Sequence, residues 1–317
     1  MKRLPVGVIG VGALGRHHAR HLATSPDATL IGVHDIDLAR GREVADGVGT
    51  RFFPDVDALL SAVEAVTVAV PTPVHAEVGI HALDRGKAVL MEKPLASSLA
   101  DADRLIRSAE KNGVPLQVGH VERFNRALRA ARPYLGDVRY FESTRLAPFQ
   151  PRGTEVAVIL DLMIHDLDLV LHLSRGADTV DVRASGVAVL TPHIDVANAR
   201  VEFAGGAVAN ITASRVARER VRKLRMFQSN GYFSLDLGSG TGVFMRLKTD
   251  RPLGNGTHLE DVVDAIPIEA PNQDALNEEL KSFVRSVRGE QDSVVTGAEG
   301  RAALALALRV SDAVAVR

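Results

Sequence analysis

Short apolar runs alternate with amphipathic stretches through the first 120 residues of the chain. Residues 6–9, 29–33, 65–70, 88–91 and 116–118 are almost continuously hydrophobic, as expected of strands covered on both faces. Between them, stretches at about 15–24, 38–47, 74–85 and 98–111 read as helices. The last carries Leu99, Ala102, Leu105, Ile106 and Ala109 on one face, a buried stripe at helical spacing. This alternation predicts a parallel, doubly wound sheet with helices on both sides.

The pattern changes after Arg132-Pro133. Residues 138–146 read as an extended strand and 155–174 as a strongly apolar helix. Period-two alternation then runs through 182–190, 197–203, 207–213, 224–228, 232–237 and 243–247, punctuated by Ala204-Gly205-Gly206 and Gly238-Ser239-Gly240. Those are hairpin signals, and they predict a largely antiparallel sheet. From Asn272 the chain turns helical again, with Leu276, Leu280, Phe283, Val284 and Val287 on one face, and a final helix starts near Ala298.

At 317 residues the chain exceeds one ordinary core, so two domains are expected, 1–120 and 121–317, with the C-terminal helices packing back toward the first. The cleft between such domains is the default ligand site. A formal net charge of -1 gives no broad basic footprint, despite the short basic stretch 215–225, so nucleic acid is not an expected partner. The absence of cysteine excludes disulfides, thiolate metal sites and a cysteine nucleophile, and fits a reducing cytoplasm. Met1-Lys2-Arg3 precedes apolar residues as in a signal peptide, but Gly7, Gly10, Gly12 and Gly15 break that stretch and no cleavage pattern follows. No apolar run is long enough to span a bilayer, and the expectation is a cytoplasmic protein without a membrane partner.

Chemistry enters with Gly10-x-Gly12-x-x-Gly15, which follows the first strand and opens the first helix. In that context the glycines permit a tight turn, a close approach of backbone to pyrophosphate, and close helix–strand packing. The helix amino terminus then offers N–H groups to the anion. Asp35 ends the second strand, where a carboxylate accepts hydrogen bonds from both ribose hydroxyls and repels a 2′-phosphate. A Rossmann domain binding NAD is therefore expected, although Arg40 and Arg42 lie near and are cations suited to the phosphate of NADP.

Lys93, in Met91-Glu92-Lys93-Pro94, falls at the carboxyl end of a predicted strand, where open α/β sheets bind their ligands. Asp161 and His165 are four apart in a predicted helix, so the carboxylate can orient the imidazole. Asp168 and His172 share that face, which raises a metal site as a rival. His172, however, lies about two turns, or ~10 Å, from His165, too far for one ion, and no metal is expected.

The chain resembles the Gfo/Idh/MocA oxidoreductase family. Gly7-Val8-Ile9-Gly10-Val11-Gly12-Ala13-Leu14-Gly15, Val70-Pro71-Thr72-Pro73-Val74-His75, Glu92-Lys93-Pro94 and Asp161-x-x-x-His165 stand in the family's order and spacing. The resemblance implies catalytic roles for Lys93 and His165, with Asp161 beside them. It also implies cofactor contacts from Gly10, Gly12, Ala13, Leu14, Gly15, Asp35, Pro71, Thr72, His75, Glu92 and Lys93. A homodimer or homotetramer is implied as well, with the open face of the second sheet as the expected contact surface.

A finer resemblance lies in Val118-Gly119-His120-Val121-Glu122-Arg123-Phe124-Asn125 and in the segment 158–166. Both are similar to the UDP-N-acetylglucosamine 3-dehydrogenase branch, which has proline where this chain has Arg126. On that reading Glu122, Arg123 and Asn125 either bind sugar hydroxyls or close the domain interface. Arg145 and Arg152, between the first strand of the second domain and the helix that follows, either hold a diphosphate or are solvated loop arginines, and His17, His18 and His21 decorate the first helix. The expected activity is NAD-dependent oxidation of a sugar hydroxyl. The alternatives are an inositol or free-aldose dehydrogenase, and a regulatory protein that binds NAD without turnover.

Overall fold

The computed structural model describes residues 2–150, 153–248 and 258–316. The chain divides into two compact units, Met1–Val121 with Asp274–Leu304, and Glu122–Gln273 with Ala305–Arg317.

The first unit alternates β1 (Leu4–Ile9), α1 (Gly15–Ala23), β2 (Ala28–His34), α2 (Leu38–Val48), β3 (Arg51–Phe52), α3 (Val56–Ala62), β4 (Ala65–Val68), α4 (His75–Leu83), β5 (Ala88–Glu92), α5 (Leu99–Asn112) and β6 (Leu116–Gly119). Its strands form one parallel sheet in the order β3-β2-β1-β4-β5-β6. That is the doubly wound order, with its switch point between β1 and β4. Local chemistry sets the helix ends. The Ser98 side chain accepts the Asp101 N–H to start α5, and Gly113 at φ 64° ends it in the left-handed region.

Register fixes what the sheet presents. Ile9 lies level with His34 and Val68, Val68 with Met91, and Glu92 with Gly119. Gly10, Asp35 and Lys93 therefore all follow the carboxyl ends of strands. Residues 274–304 group with this unit through a physical core: Leu280, Phe283 and Val284 are buried among Val6, Val8, Leu22 and Leu90.

The second unit begins with α6 (Arg126–Ala131), β7 (Val138–Leu146) and a π-helical turn (Ile159–Met163) that runs into α7 (Ile164–Leu173). Then follow β8 (Thr179–Val187), β9 (Val196–Phe203), β10 (Val208–Ser214), β11 (Val221–Gln228), β12 (Gly231–Asp236), β13 (Thr241–Leu247), α8 (Leu259–Val262) and β14 (Val263–Ile268). Helix α9 (Ala275–Val287) belongs to the first unit, α10 (Gly297–Ala313) continues from one unit into the other, and β15 (Val314–Val316) closes the chain.

The nine strands order as β14-β13-β12-β11-β7-β10-β9-β8-β15. Pairing is antiparallel except at β7–β10 and β8–β15. Gly205 and Gly206, both at positive φ (89° and 87°), make the β9–β10 hairpin turn, a backbone shape that glycine adopts without a Cβ clash.

Strand β8 lies earlier than the alternation over 182–190 suggests. The N–H groups of Val189, Leu190 and Thr191 turn inward to Asp195 Oδ2 at 2.7–2.9 Å, so that segment is a loop wrapped on a carboxylate. Val189 and Leu190 keep their apolar side chains exposed, which is why their pattern mimics a strand. Among the described residues, no helix is long and apolar enough to cross a membrane.

Candidate active site

The glycine turn has the shape its motif requires. Gly10 sits at φ 82°, and a Cβ there would lie 2.8 Å from the Ala69 carbonyl oxygen. A Cβ on Gly15 would lie 1.8 Å from the Gly10 oxygen, so helix and strand meet only because it is absent. A Cβ on Gly12 would meet nothing within 4 Å, which leaves the outer side of the turn open. No side chain caps the amino end of α1, and Ala13 and Leu14 are exposed beside it. An open turn against an uncapped helix end fits a dinucleotide pyrophosphate.

Asp35 is buried and fully engaged. It accepts the Val11 N–H at 2.8 Å and the Asp37 N–H at 2.8 Å, and it takes a fork from Arg40 at 2.8 and 3.2 Å. Burial works against its ionisation, but Arg40 and the two N–H groups outweigh that and hold the carboxyl below its usual value. Four accepted bonds saturate a carboxylate, and Arg40 supplies two of them. Arg40 also lies 3.4 Å from Asp37, and Arg42 stands over the Phe52 ring at 5.9 Å. Arg40 is thus paired with two carboxylates, whereas Arg42 rests on a ring.

Lys93 follows β5 half-buried, joined to Pro94 by a cis peptide bond. Its N–H donates to Glu92 Oε2 at 3.2 Å. Glu92 is itself buried and accepts Nε2–H of His18 at 2.9 Å. Burial alone would raise the Glu92 carboxyl, yet His18 and Lys93 hold it below the usual range. His18 thus departs from the decorative role expected of it: it is 1% exposed and anchors the strand end that carries Lys93.

The signal for His18 was present in the sequence, since Gly15, His18, Ala19 and Leu22 form the buried stripe of α1. His75 likewise turns inward, with Nδ1 2.9 Å from the Pro94 oxygen and Nε2 2.9 Å from the Val70 oxygen. Burial lowers its pKa against the pull of those two carbonyls. The ring braces the loop after β4, with both its nitrogens on protein carbonyls. Pro71 is exposed and Thr72 half-buried on the same loop.

In the second unit, Asp161 lies within the π turn and His165 at the start of α7, both half-buried. The Ile164 N–H bonds to the Ile159 oxygen, five residues back, which defines the wider turn. Asp161 Oδ2 would lie 2.9 Å from a Cβ on Gly153, whose φ is 76°. Arg215, absent from the sequence-based site, secures that approach: Nη1 donates to the Gly153 oxygen at 2.6 Å and Nη2 to the Val156 oxygen at 2.5 Å.

Glu122, Arg123 and Asn125, expected either to bind sugar hydroxyls or to close the domain interface, are buried and engaged in ion pairs and hydrogen bonds within the protein. Arg145 donates to Asp166 through Nε (2.6 Å) and Nη2 (3.1 Å) and to Glu122 through Nη1 (2.9 Å). All three of its nitrogens are engaged with carboxylates and its side chain is buried, so it is not presented as a diphosphate fork. Arg123 forms a bidentate pair with Asp168 at 2.6 and 2.8 Å, which also removes Asp168 from any metal set.

Asn125 caps α6 by accepting the Ala127 N–H, and donates to Glu122 and to the Leu237 oxygen. Burial opposes ionisation of Glu122, but Arg145, Arg222 and Asn125 keep its carboxyl below the ordinary value. Arg152 lies outside the described residues. Arg126, where a proline was expected, bonds to Asn272 at 2.9 Å and to the Ser239 carbonyl, pinning the β12–β13 turn.

Comparison with known proteins follows this geometry. Residues 4–120 match the model of an oxidoreductase family with an NAD-binding Rossmann fold, and 128–234 that of the GFO/IDH/MocA C-terminal domain. The chain is 40% identical over 315 residues to UDP-N-acetylglucosamine 3-dehydrogenase of Acidithiobacillus ferrooxidans, covering 99% of this chain and 98% of that one. A solved structure of the enzyme of that name from the same organism superposes with a TM-score of 0.91 at 39% identity, over 99% of this chain and 98% of that one. Myo-inositol 2-dehydrogenase of Thermotoga maritima is 29% identical, over 95% of this chain and 93% of that one.

Proposed function

Because the chain belongs to the GFO/IDH/MocA family of NAD-binding oxidoreductases, we propose that it oxidises a secondary hydroxyl of a nucleotide sugar. The 3-hydroxyl of UDP-N-acetylglucosamine, or of a closely related sugar, is the substrate position it fits best. The observation that carries this reading is the likeness, over nearly the whole of both chains, to an enzyme of that specificity. Lys93, Asp161 and His165 are all present beside it, and a protein that only sensed NAD would have no use for a proton-transfer pair.

Gly10, Gly12 and Gly15 with the end of α1 hold the pyrophosphate, and Asp35 holds the ribose once Arg40 moves aside. Bound NAD supplies the acceptor for the hydride that leaves the alcohol carbon. His165 takes the hydroxyl proton onto its imidazole, and the Asp161 carboxylate stabilises the imidazolium. The Lys93 ammonium stabilises the alkoxide that develops on the oxygen. The preference for NAD over NADP in this reading rests on Asp35 at the end of β2, whose carboxylate would repel a 2′-phosphate.

The relation to myo-inositol 2-dehydrogenase keeps a free-polyol substrate as the second reading. A screen that follows NADH absorbance with UDP-N-acetylglucosamine, UDP-glucose, myo-inositol and free aldoses separates the two. Turnover confined to the free polyols would overturn the nucleotide-sugar reading, and tight NAD binding without any turnover would overturn the enzymatic one. Self-association as a homodimer or homotetramer, part of the same reading, is checked by light scattering of the purified chain.

A further inference from the structure

Arg145 and Arg222 are direct cross-strand partners in β7 and β11, so their side chains share one face of the sheet. It is the face on which α7 lies, because Arg145 bonds to Asp166, the residue after His165. The two guanidinium groups have different occupations. Arg145 is buried and bonds through all three of its nitrogens to Asp166 and Glu122. Arg222 makes one ion contact, 3.7 Å to Glu122 Oε1, and its side chain makes no hydrogen bond among the described residues.

The Glu122 carboxylate already accepts from Arg145 and Asn125 at 2.9 Å, which leaves Arg222 a minor share of it. Arg222 lies in the fields of two cations, Arg145 and Arg220, and of two anions, Glu122 and Asp166. The Arg222 side chain is 37% exposed, so it reaches solvent from a partly desolvated place. A planar guanidinium fork matches two oxygens of a phosphate, and a neutral polyol offers it nothing comparable.

Resting on the nucleotide-sugar reading, we propose that Arg222 binds the diphosphate of the substrate while the sugar hydroxyl is presented to His165. The test is calorimetric titration of the NAD-loaded full chain with UDP and with uridine, for the wild type, Arg222→Gln and Arg222→Lys. In Arg222→Gln, UDP affinity should fall about tenfold or more, as expected for loss of a charge-assisted fork. Uridine and NAD affinities should stay as in the wild type, and Arg222→Lys should be intermediate. Equal UDP affinity in the wild type and Arg222→Gln overturns the assignment and leaves the nucleotide-sugar reading standing. A wild type that ignores UDP but turns over free aldoses removes that reading, and the role of Arg222 with it.

Discussion

His18 and Glu92, 74 residues apart, meet at 2.9 Å in the interior of the first unit. The bond ties the helix that opens from the glycine turn to the strand end that carries Lys93. Removing the imidazole would leave a buried carboxylate short of a donor and a cavity beside it. His18→Ala should therefore lower the unfolding free energy by roughly 2–4 kcal/mol. His18→Gln, which can still donate, should lose less. Urea midpoints decide this: if His18→Ala matched the wild type, Glu92 would not depend on His18.

Asp195 supplies a pH-dependent term. Burial raises the energy of its carboxylate, but the N–H groups of Thr191, Leu190 and Val189 and the Thr191 hydroxyl outweigh that and lower its pKa from 3.8 to about 2. A depressed carboxyl stabilises the fold at pH above its unfolded value, and the gain is lost as pH falls through 3.8 toward 2. A shift of that size corresponds to roughly 2 kcal/mol at neutral pH. Asp195→Asn should be less stable than the wild type by about that amount at pH 7 and pH 5, and the gap should narrow at pH 3. A gap that stayed the same at all three would mean that the loop on Asp195 owes nothing to its charge.

Lys93 follows β5 at the carboxyl end of the parallel sheet, and its proposed role is to stabilise the alkoxide. Lys93→Met keeps the length and apolar stem of the side chain and removes the charge. Turnover should fall roughly 100- to 1000-fold, the usual effect of deleting a donor aimed at a developing oxyanion. NAD affinity, read by fluorescence titration, should remain close to the wild-type value. Near-normal turnover in this variant would move the electrophilic role to another group.

How much of this could be read from the chain depends on sequence distance. Strands β1, β2, β4, β5 and β6 announce themselves by continuous apolar runs, and the glycine turn with Asp35 is a local pattern. β3 has two residues, too few for any period, and β14 contains Pro267, which argues against a strand when no partner is known. The polar network is harder still. Arg145 looks like a ligand fork until Asp166 is seen to take it, and nothing within 20 residues of Arg145 reveals that bond. The π turn is equally silent, because a four-residue spacing from Asp161 to His165 keeps both on one face with either helical period.

Gly153 lies against the carboxylate of the proposed catalytic pair. Its φ of 76° lies in the left-handed region, and a Cβ on it would press within 2.9 Å of Asp161 Oδ2. Arg215 holds its carbonyl at 2.6 Å and stands 3.5 Å from Asp195, so the backbone at Gly153 has little freedom to retreat. In Gly153→Ala the side chain that gives way is that of Asp161. A displaced carboxylate supports the His165 imidazolium less well, and kcat should fall about tenfold to a hundredfold, as small misplacements of catalytic groups do. The acidic limb of the pH–rate profile should move to lower pH, because an imidazolium with less support releases its proton more readily. Affinity for NAD, held by the other unit, should not change. A purely structural effect of Gly153→Ala would add in full to that of Asp161→Asn, whereas an effect acting through Asp161 disappears once the carboxylate is gone. Equal kcat values for Asp161→Asn and the double variant would establish the link, and additive losses would refute it.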